Sequence, residues 1–140
     1  MRQYSNEPSP IEKIISAASY LTAGMAGFIW IIVATFMKKN IKSFLMYHIM
    51  QSIFLSIAYF LFMELYKLTF IAFAKIPLFN VLIFFINGLL FNPLPIFWGL
   101  SLLQVLTSGI ILYLAVTSFM GMYSYVPFVS DIIRGNTNTK

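Results

Sequence analysis

Residues 43–64 read SFLMYHIMQSIFLSIAYFLFME, an uncharged run bounded by Lys42 and Glu64. About 20 helical residues at ~1.5 Å rise cover the ~30 Å hydrocarbon core of a bilayer, so the run predicts a membrane-crossing helix. It carries the chain's one histidine, His48, together with Gln51, Ser52, Ser56 and Tyr59. These fall at i, i+3, i+4, i+8 and i+11 and therefore share one face of a helix. A polar stripe on a spanning helix turns away from lipid, towards another helix or a water-filled cavity.

Composition agrees with a membrane setting. Of the 140 residues, 60% are hydrophobic and 9% charged, more apolar surface than a soluble core of this size can hide. One small membrane domain over residues 1–140 is expected, with polar tails at about 1–10 and 132–140. The formal charge of +5 comes from basic residues scattered over connections and tails, not gathered on a face, so nucleic acid is not an expected partner. No cysteine occurs, which excludes disulfides, thiolate catalysis and zinc–thiolate sites. The leader MRQYSNEPSPIEK holds Glu7 and Glu12 and reads as a polar approach to a retained helix rather than a signal peptide.

Working outward from the central run, Ser9-Pro10-Ile11-Glu12 forms a capping-box signature for a helix start. An uncharged first span follows at about 14–37, in which Ser19, Ala23 and Gly27 lie four apart and predict close approach of another helix. Lys38-Lys39-Asn40-Ile41-Lys42 is a basic turn short enough to make the first two spans antiparallel neighbours. The second span is 43–65, and Tyr66 to Ala74 is apolar enough to extend it. A short third span is expected at 76–92, broken by Asn92-Pro93-Leu94-Pro95. A fourth at 96–123 opens with Phe97-Trp98 and carries Gln104 and Ser108 on a small, polar face. The fold class is thus all-α, a bundle of four transmembrane helices with short connections.

Four spans place Arg2, Lys13, Lys67, Lys75, Arg134 and Lys140 on one side and Lys38, Lys39 and Lys42 on the other. The count predicts cytoplasmic termini, whereas the density of the lysine cluster pulls the opposite way.

His48 has no second histidine or nearby carboxylate on its helix, so no cofactor and no metal site is expected. Gln51 and Gln104 are amides suited to hydrogen bonding across a bundle or to lining a hydrophilic path. Asn80 and Asn87 have the same two uses. Glu64 and Lys67, three apart, read as an interfacial ion pair. The sequence contains no Ser/His/Asp constellation, paired acids or phosphate-cradling loop, and an enzyme is not expected.

Three stretches resemble one family. Phe44-Leu45-Met46-Tyr47-His48-Ile49-Met50-Gln51-Ser52-Ile53 is similar to the "RFNxMQAI" segment of the Tic-twenty family, the translocon subunit of the chloroplast inner envelope and its cyanobacterial and bacterial relatives. Gly121-Met122-Tyr123-Ser124-Tyr125-Val126-Pro127-Phe128-Val129-Ser130-Asp131 resembles the family's "GxYxxIPxxSDA" ending, with Gly121, Tyr123, Pro127, Ser130 and Asp131 as the matching positions. Ile15-Ser16-Ala17-Ala18-Ser19-Tyr20-Leu21 is similar to its "ISALxYL" opening. The chain departs from the plastid members at Met46, where they place arginine, and in its shorter first connection. The resemblance implies a four-helix protein of the bacterial cytoplasmic or plastid inner membrane, with termini on the cytoplasmic or stromal side. It also implies a subunit of a channel or protein-translocation complex, assembled with copies of itself or other membrane proteins and in contact with a translocating polypeptide. A scaffold protein without a transport path of its own is the alternative. In the first case His48, Gln51, Ser52, Ser56, Gln104 and Ser108 border the path; in the second they are helix contacts.

Overall fold

The structure, a computed structural model, describes residues 7–127 and 129–137. All regular elements among them are helical: α1 (Pro10–Leu21), α2 (Met25–Phe36), α3 (Ser43–Phe73), α4 (Pro77–Phe91), a 3-10 turn (Pro95–Phe97), α5 (Leu102–Phe119) and α6 (Val129–Thr137). Three stretches are long and apolar enough to cross a membrane, namely Ser43–Phe73, Pro77–Phe97 and Leu102–Phe119. The chain divides into two compact units, one of Met1–Ile57 with Ile111–Lys140 and one of Ala58–Ile110.

In the first unit, the expected span at 14–37 is not one helix. It breaks at Thr22–Gly24 into α1 and α2, each of 12 residues. The break is a Schellman turn: Gly24 N–H donates to Ser19 C=O at 2.7 Å and Ala23 N–H to Tyr20 C=O at 3.4 Å. Ala23 sits at φ 53° where glycine is usual, and Gly24 follows at φ 89°. Two left-handed residues in succession reverse the chain, and Thr22 Oγ1 accepts the N–H of Ala26 to start α2. A Cβ on Gly27 would lie 2.6 Å from Ser19 Oγ, so the two helices face each other across the turn. Each is about 18 Å long at 1.5 Å per residue, too short for a ~30 Å core.

Both ends of this hairpin therefore lie together. Ser9 and Glu12 form the anticipated capping box, and the Glu12 carboxylate also meets Lys42 Nζ at 3.4 Å. Residues expected on opposite sides of a membrane are thus neighbours, and Lys13, Lys38, Lys39 and Lys42 gather at one end of the unit. The conflict between lysine count and lysine cluster rests on residues 14–37 being one helix, which they are not.

The short basic turn does make α2 and α3 antiparallel neighbours. Cβ atoms built on Gly24 and Gly27 would lie 2.7 Å from Ile53 Cγ1 and 2.8 Å from Ile49 side-chain carbons. Close approach falls at Ser19, Gly24 and Gly27, while Ala23 is exposed. In α1 the buried residues are Ser16, Ser19 and Tyr20, and Ile11, Ile14 and Leu21 are exposed. Polar groups inside and apolar groups outside is the arrangement a lipid environment favours.

The end of α5 lies in this unit and forms another Schellman turn. Met122 N–H donates to Thr117 C=O and Gly121 N–H to Ser118 C=O, both at 3.0 Å. Gly121 is left-handed at φ 82°, with Lys13 Cε 2.8 Å from where its Cβ would be. The flexible lysine can move aside, so backbone strain sets the expected cost of Gly121→Ala at about 1–2 kcal/mol. Chemical unfolding in mixed micelles measures it. Beyond the turn, α6 occupies much of what reads as a tail, and it buries Val129, Ser130 and Ile133. Residues 1–6 and 138–140 of the expected tails lie outside the described residues.

In the second unit, the end of α3 continues to Phe73, as the apolar stretch after Glu64 allows. Glu64 and Lys67 form the expected partly exposed pair at 2.7 Å. Here α3 pairs with α4 through Phe73–Phe79, Phe70–Phe84 and Tyr66–Phe91 ring contacts. Tyr66 also donates to Asn87 Oδ1 at 3.1 Å. No described residue of α4 is buried. The helix in place of the expected fourth span, α5, begins at Leu102 and ends at Phe119, not at 96 and 123. Trp98 and Gly99, left-handed at φ 54° and 81°, close a separate turn, and Ser101 then caps α5.

Candidate functional site

The N-terminal part of α3 in the first unit carries the site. Tyr47, His48, Gln51 and Ser52 project from its first turns and are 0–2% exposed. Tyr20, brought over by α1, places its hydroxyl 2.6 Å from Gln51 Oε1 and 2.8 Å from His48 Nδ1. The segment after α5 supplies Ser124, and α6 supplies Ser130. Gln51 Nε2 donates to the Ser124 carbonyl at 3.4 Å and to Ser130 Oγ at 3.2 Å, while its Oε1 also accepts from Ser124 Oγ at 3.3 Å.

The Ser124 carbonyl can only accept, which orients the amide with Nε2 towards it. Oε1 then faces Tyr20 and can only accept, so the single phenolic proton goes to Gln51. His48 Nδ1 accordingly donates to the Tyr20 oxygen. Tyr47 donates to the Ser124 carbonyl at 2.8 Å and lies 2.9 Å from Ser130 Oγ. Ser130 Oγ further accepts the Val126 N–H at 2.7 Å, tying the strap of residues 120–127 to α6. Gln51 therefore uses both amide protons and both oxygen positions on protein groups.

Aromatic rings wall this network. His48 lies edge-on to Phe44, Tyr20 and Tyr47, and stacks with Tyr123 at 6.1 Å and 20°. Tyr123 meets Phe44 and Tyr47 as well, at 5.4 and 5.2 Å.

The remaining stripe residues do other work. Ser52 and Ser56 donate to the α3 carbonyls of Ile49 and Ser52, at 2.8 and 2.9 Å. Tyr59 belongs to the second unit and is exposed. Gln104 and Ser108 also belong there, and both are exposed. Gln104 accepts the Ser101 N–H at 3.0 Å in a capping box that starts α5. Of the C-terminal motif positions, Gly121 forms the helix stop, Tyr123 and Ser130 enter the cluster, and exposed Pro127 turns the chain by accepting the Val129 N–H at 2.8 Å. Asp131 accepts from Tyr125 Oη at 3.1 Å at the exposed edge.

The three segments singled out in the sequence, 15–21, 44–53 and 121–131, thus meet in one cluster. Searches against protein families, curated proteins and solved structures found no match to this chain. Tyr20, Tyr47 and Ser124 were not among the residues picked from sequence. The Tyr47–Gln51 spacing of four was a readable sign that tyrosine shares the stripe. Tyr20 lay beside the small-residue face and inside the first resembling segment, but nothing local marked its hydroxyl or the Ser124 carbonyl as partners of Gln51. Among the described residues no group of three metal-ligating side chains occurs.

Proposed function

We propose that this chain is a structural subunit of a membrane, in which the cluster around Gln51 locks α1, α3 and α6 together and lines no transport path of its own. One observation carries the reading. Gln51 is fully buried and hydrogen-bonded at every position, so it has nothing to offer water or a passing solute. The bilayer is the first partner, and the exposed apolar helices suit further contact with copies of the chain or other membrane proteins.

A second reading is a subunit of a channel or protein-translocation complex. The meeting of the three Tic-twenty-like segments in one cluster supports it. Under this reading the path forms between subunits, because the Gln51 network in one chain is closed. Either way, the basic residues gathered at one end of the first unit support a cytoplasmic or stromal location for that end.

Thiol labelling separates the readings, since the chain has no cysteine of its own. Single cysteines at Ser52, Ser56 and Lys39 are treated in intact membranes with a membrane-impermeant maleimide. The lock predicts fast labelling at Lys39 and protection at Ser52 and Ser56. Rapid labelling at Ser52 or Ser56 means a wet path and removes the structural reading.

A further inference from the structure

We propose that Lys38 and Lys39 form a docking site for the phosphate of an anionic phospholipid. The hairpin brings four lysines to one end of the first unit, but two of them are already engaged. Lys42 pairs with Glu12 at 3.4 Å and donates to the Glu7 carbonyl at 3.3 Å. Lys13 packs its side-chain end against Gly121 at the C-terminal end of α5, where the helix dipole favours a cation. Lys38 and Lys39 are exposed and make no ion pair with a described residue. Of the other carboxylates, Glu64 holds Lys67 and Asp131 accepts from the Tyr125 hydroxyl, while exposed Glu7, at the same end of the unit, makes no ion pair with a described residue.

The backbone fixes where these two side chains leave the chain. Lys38 N–H donates to Thr35 C=O at 3.2 Å and Lys39 N–H to Ala34 C=O at 2.9 Å, a closed Schellman turn. Lys38 occupies its left-handed position at φ 50°, where glycine or asparagine is the relaxed choice.

Lipid is the phosphate source that fits the surroundings. Phe36 is 85% exposed and Met37 55%, immediately before the lysines. A phenylalanine so exposed belongs in acyl chains, which sets the next two side chains at headgroup depth, with their methylene stems in the apolar layer. A soluble polyanion would meet the same lysines beside bare aromatic surface.

The proposal rests on the membrane reading but not on the choice between scaffold and translocation subunit. Its test uses the full chain purified in neutral detergent. Native mass spectrometry follows retention of phosphatidylglycerol against phosphatidylcholine, with inorganic phosphate as a competitor. The wild type is expected to prefer phosphatidylglycerol. K38Q/K39Q should weaken that binding roughly tenfold at low salt, K38R/K39R should restore it, and K67Q should leave it unchanged. Equal retention of the two lipids, an unaffected K38Q/K39Q, or equal loss in the arginine variant overturns the site. Displacement by millimolar inorganic phosphate overturns the lipid as its occupant. A chain that stays soluble without detergent would instead overturn the membrane reading itself.

Discussion

Replacing Gln51 by leucine is expected to cost the protein about 2–5 kcal/mol, because up to three other residues lose partners at once. The hydroxyls of Tyr20, Ser124 and Ser130 and the Ser124 carbonyl all bond to this one amide. Leucine has similar volume, so the loss is not a cavity effect but the burial of polar groups without partners. Hydrogen bonds within membranes average only about 0.6 kcal/mol when removed singly, which places the total nearer the lower figure if the groups find one another. Gln104→Leu serves as the contrast. That amide is exposed and closes a capping box, so its removal should cost no more than about 1 kcal/mol. Unfolding titrations with dodecyl sulfate in mixed micelles compare the two. Equal effects would mean that the Gln51 network contributes no more than a helix cap.

Substituting alanine at Gly24 is the second large change. Alanine at φ 89° carries the strain of a left-handed backbone, about 1–2 kcal/mol. Its Cβ would also come within 3.1 Å of Ile53 Cα and 3.2 Å of Ile53 N. Backbone cannot swing aside as a side chain can, so α2 must move off α3, adding about 1–3 kcal/mol for overpacking. The same unfolding titration should show a total loss of about 2–5 kcal/mol. Ala23→Gly is the opposite case, since it relieves the left-handed residue and has open surroundings. A Gly24→Ala protein as stable as wild type would mean that the turn is not closed in the way described.

The residues that were legible in advance show why others were not. Ser43 to Glu64 announced itself because a bilayer demands an uncharged run and a helix repeats its polar groups every three to four residues. Ser9 and Glu12 announced the start of α1 through side-chain chemistry specific to a helix end. The hairpin had no such marker. Inside a membrane a turn needs no charge, and here the left-handed position that normally shows as glycine is Ala23. Hydropathy therefore ran unbroken from Ile14 to Met37, and two half-length helices looked like one span. The start of α5 was readable but passed over: Ser101 and Gln104 form the same kind of box as Ser9 and Glu12, six residues after Pro95. The short helix α6 was hidden because VSDIIRGNT is too polar and brief to predict a helix by itself. It is held by Ser130 and Ile133 packing into the first unit, which is tertiary information. For the cluster, the α3 residues and two of the motif residues were legible as types, and their partners became visible only once three distant segments were brought together.

The most direct test concerns the hairpin, on which the gathering of the lysines and the shape of the cluster both depend. Single cysteines at Lys13 and Lys39 are labelled with an impermeant maleimide, in sealed vesicles of one orientation and again in inverted ones. The hairpin predicts that both positions label from the same side and are both protected from the other. Labelling of Lys13 from one side and Lys39 from the opposite side would mean that residues 14–37 cross the membrane and that the hairpin does not exist.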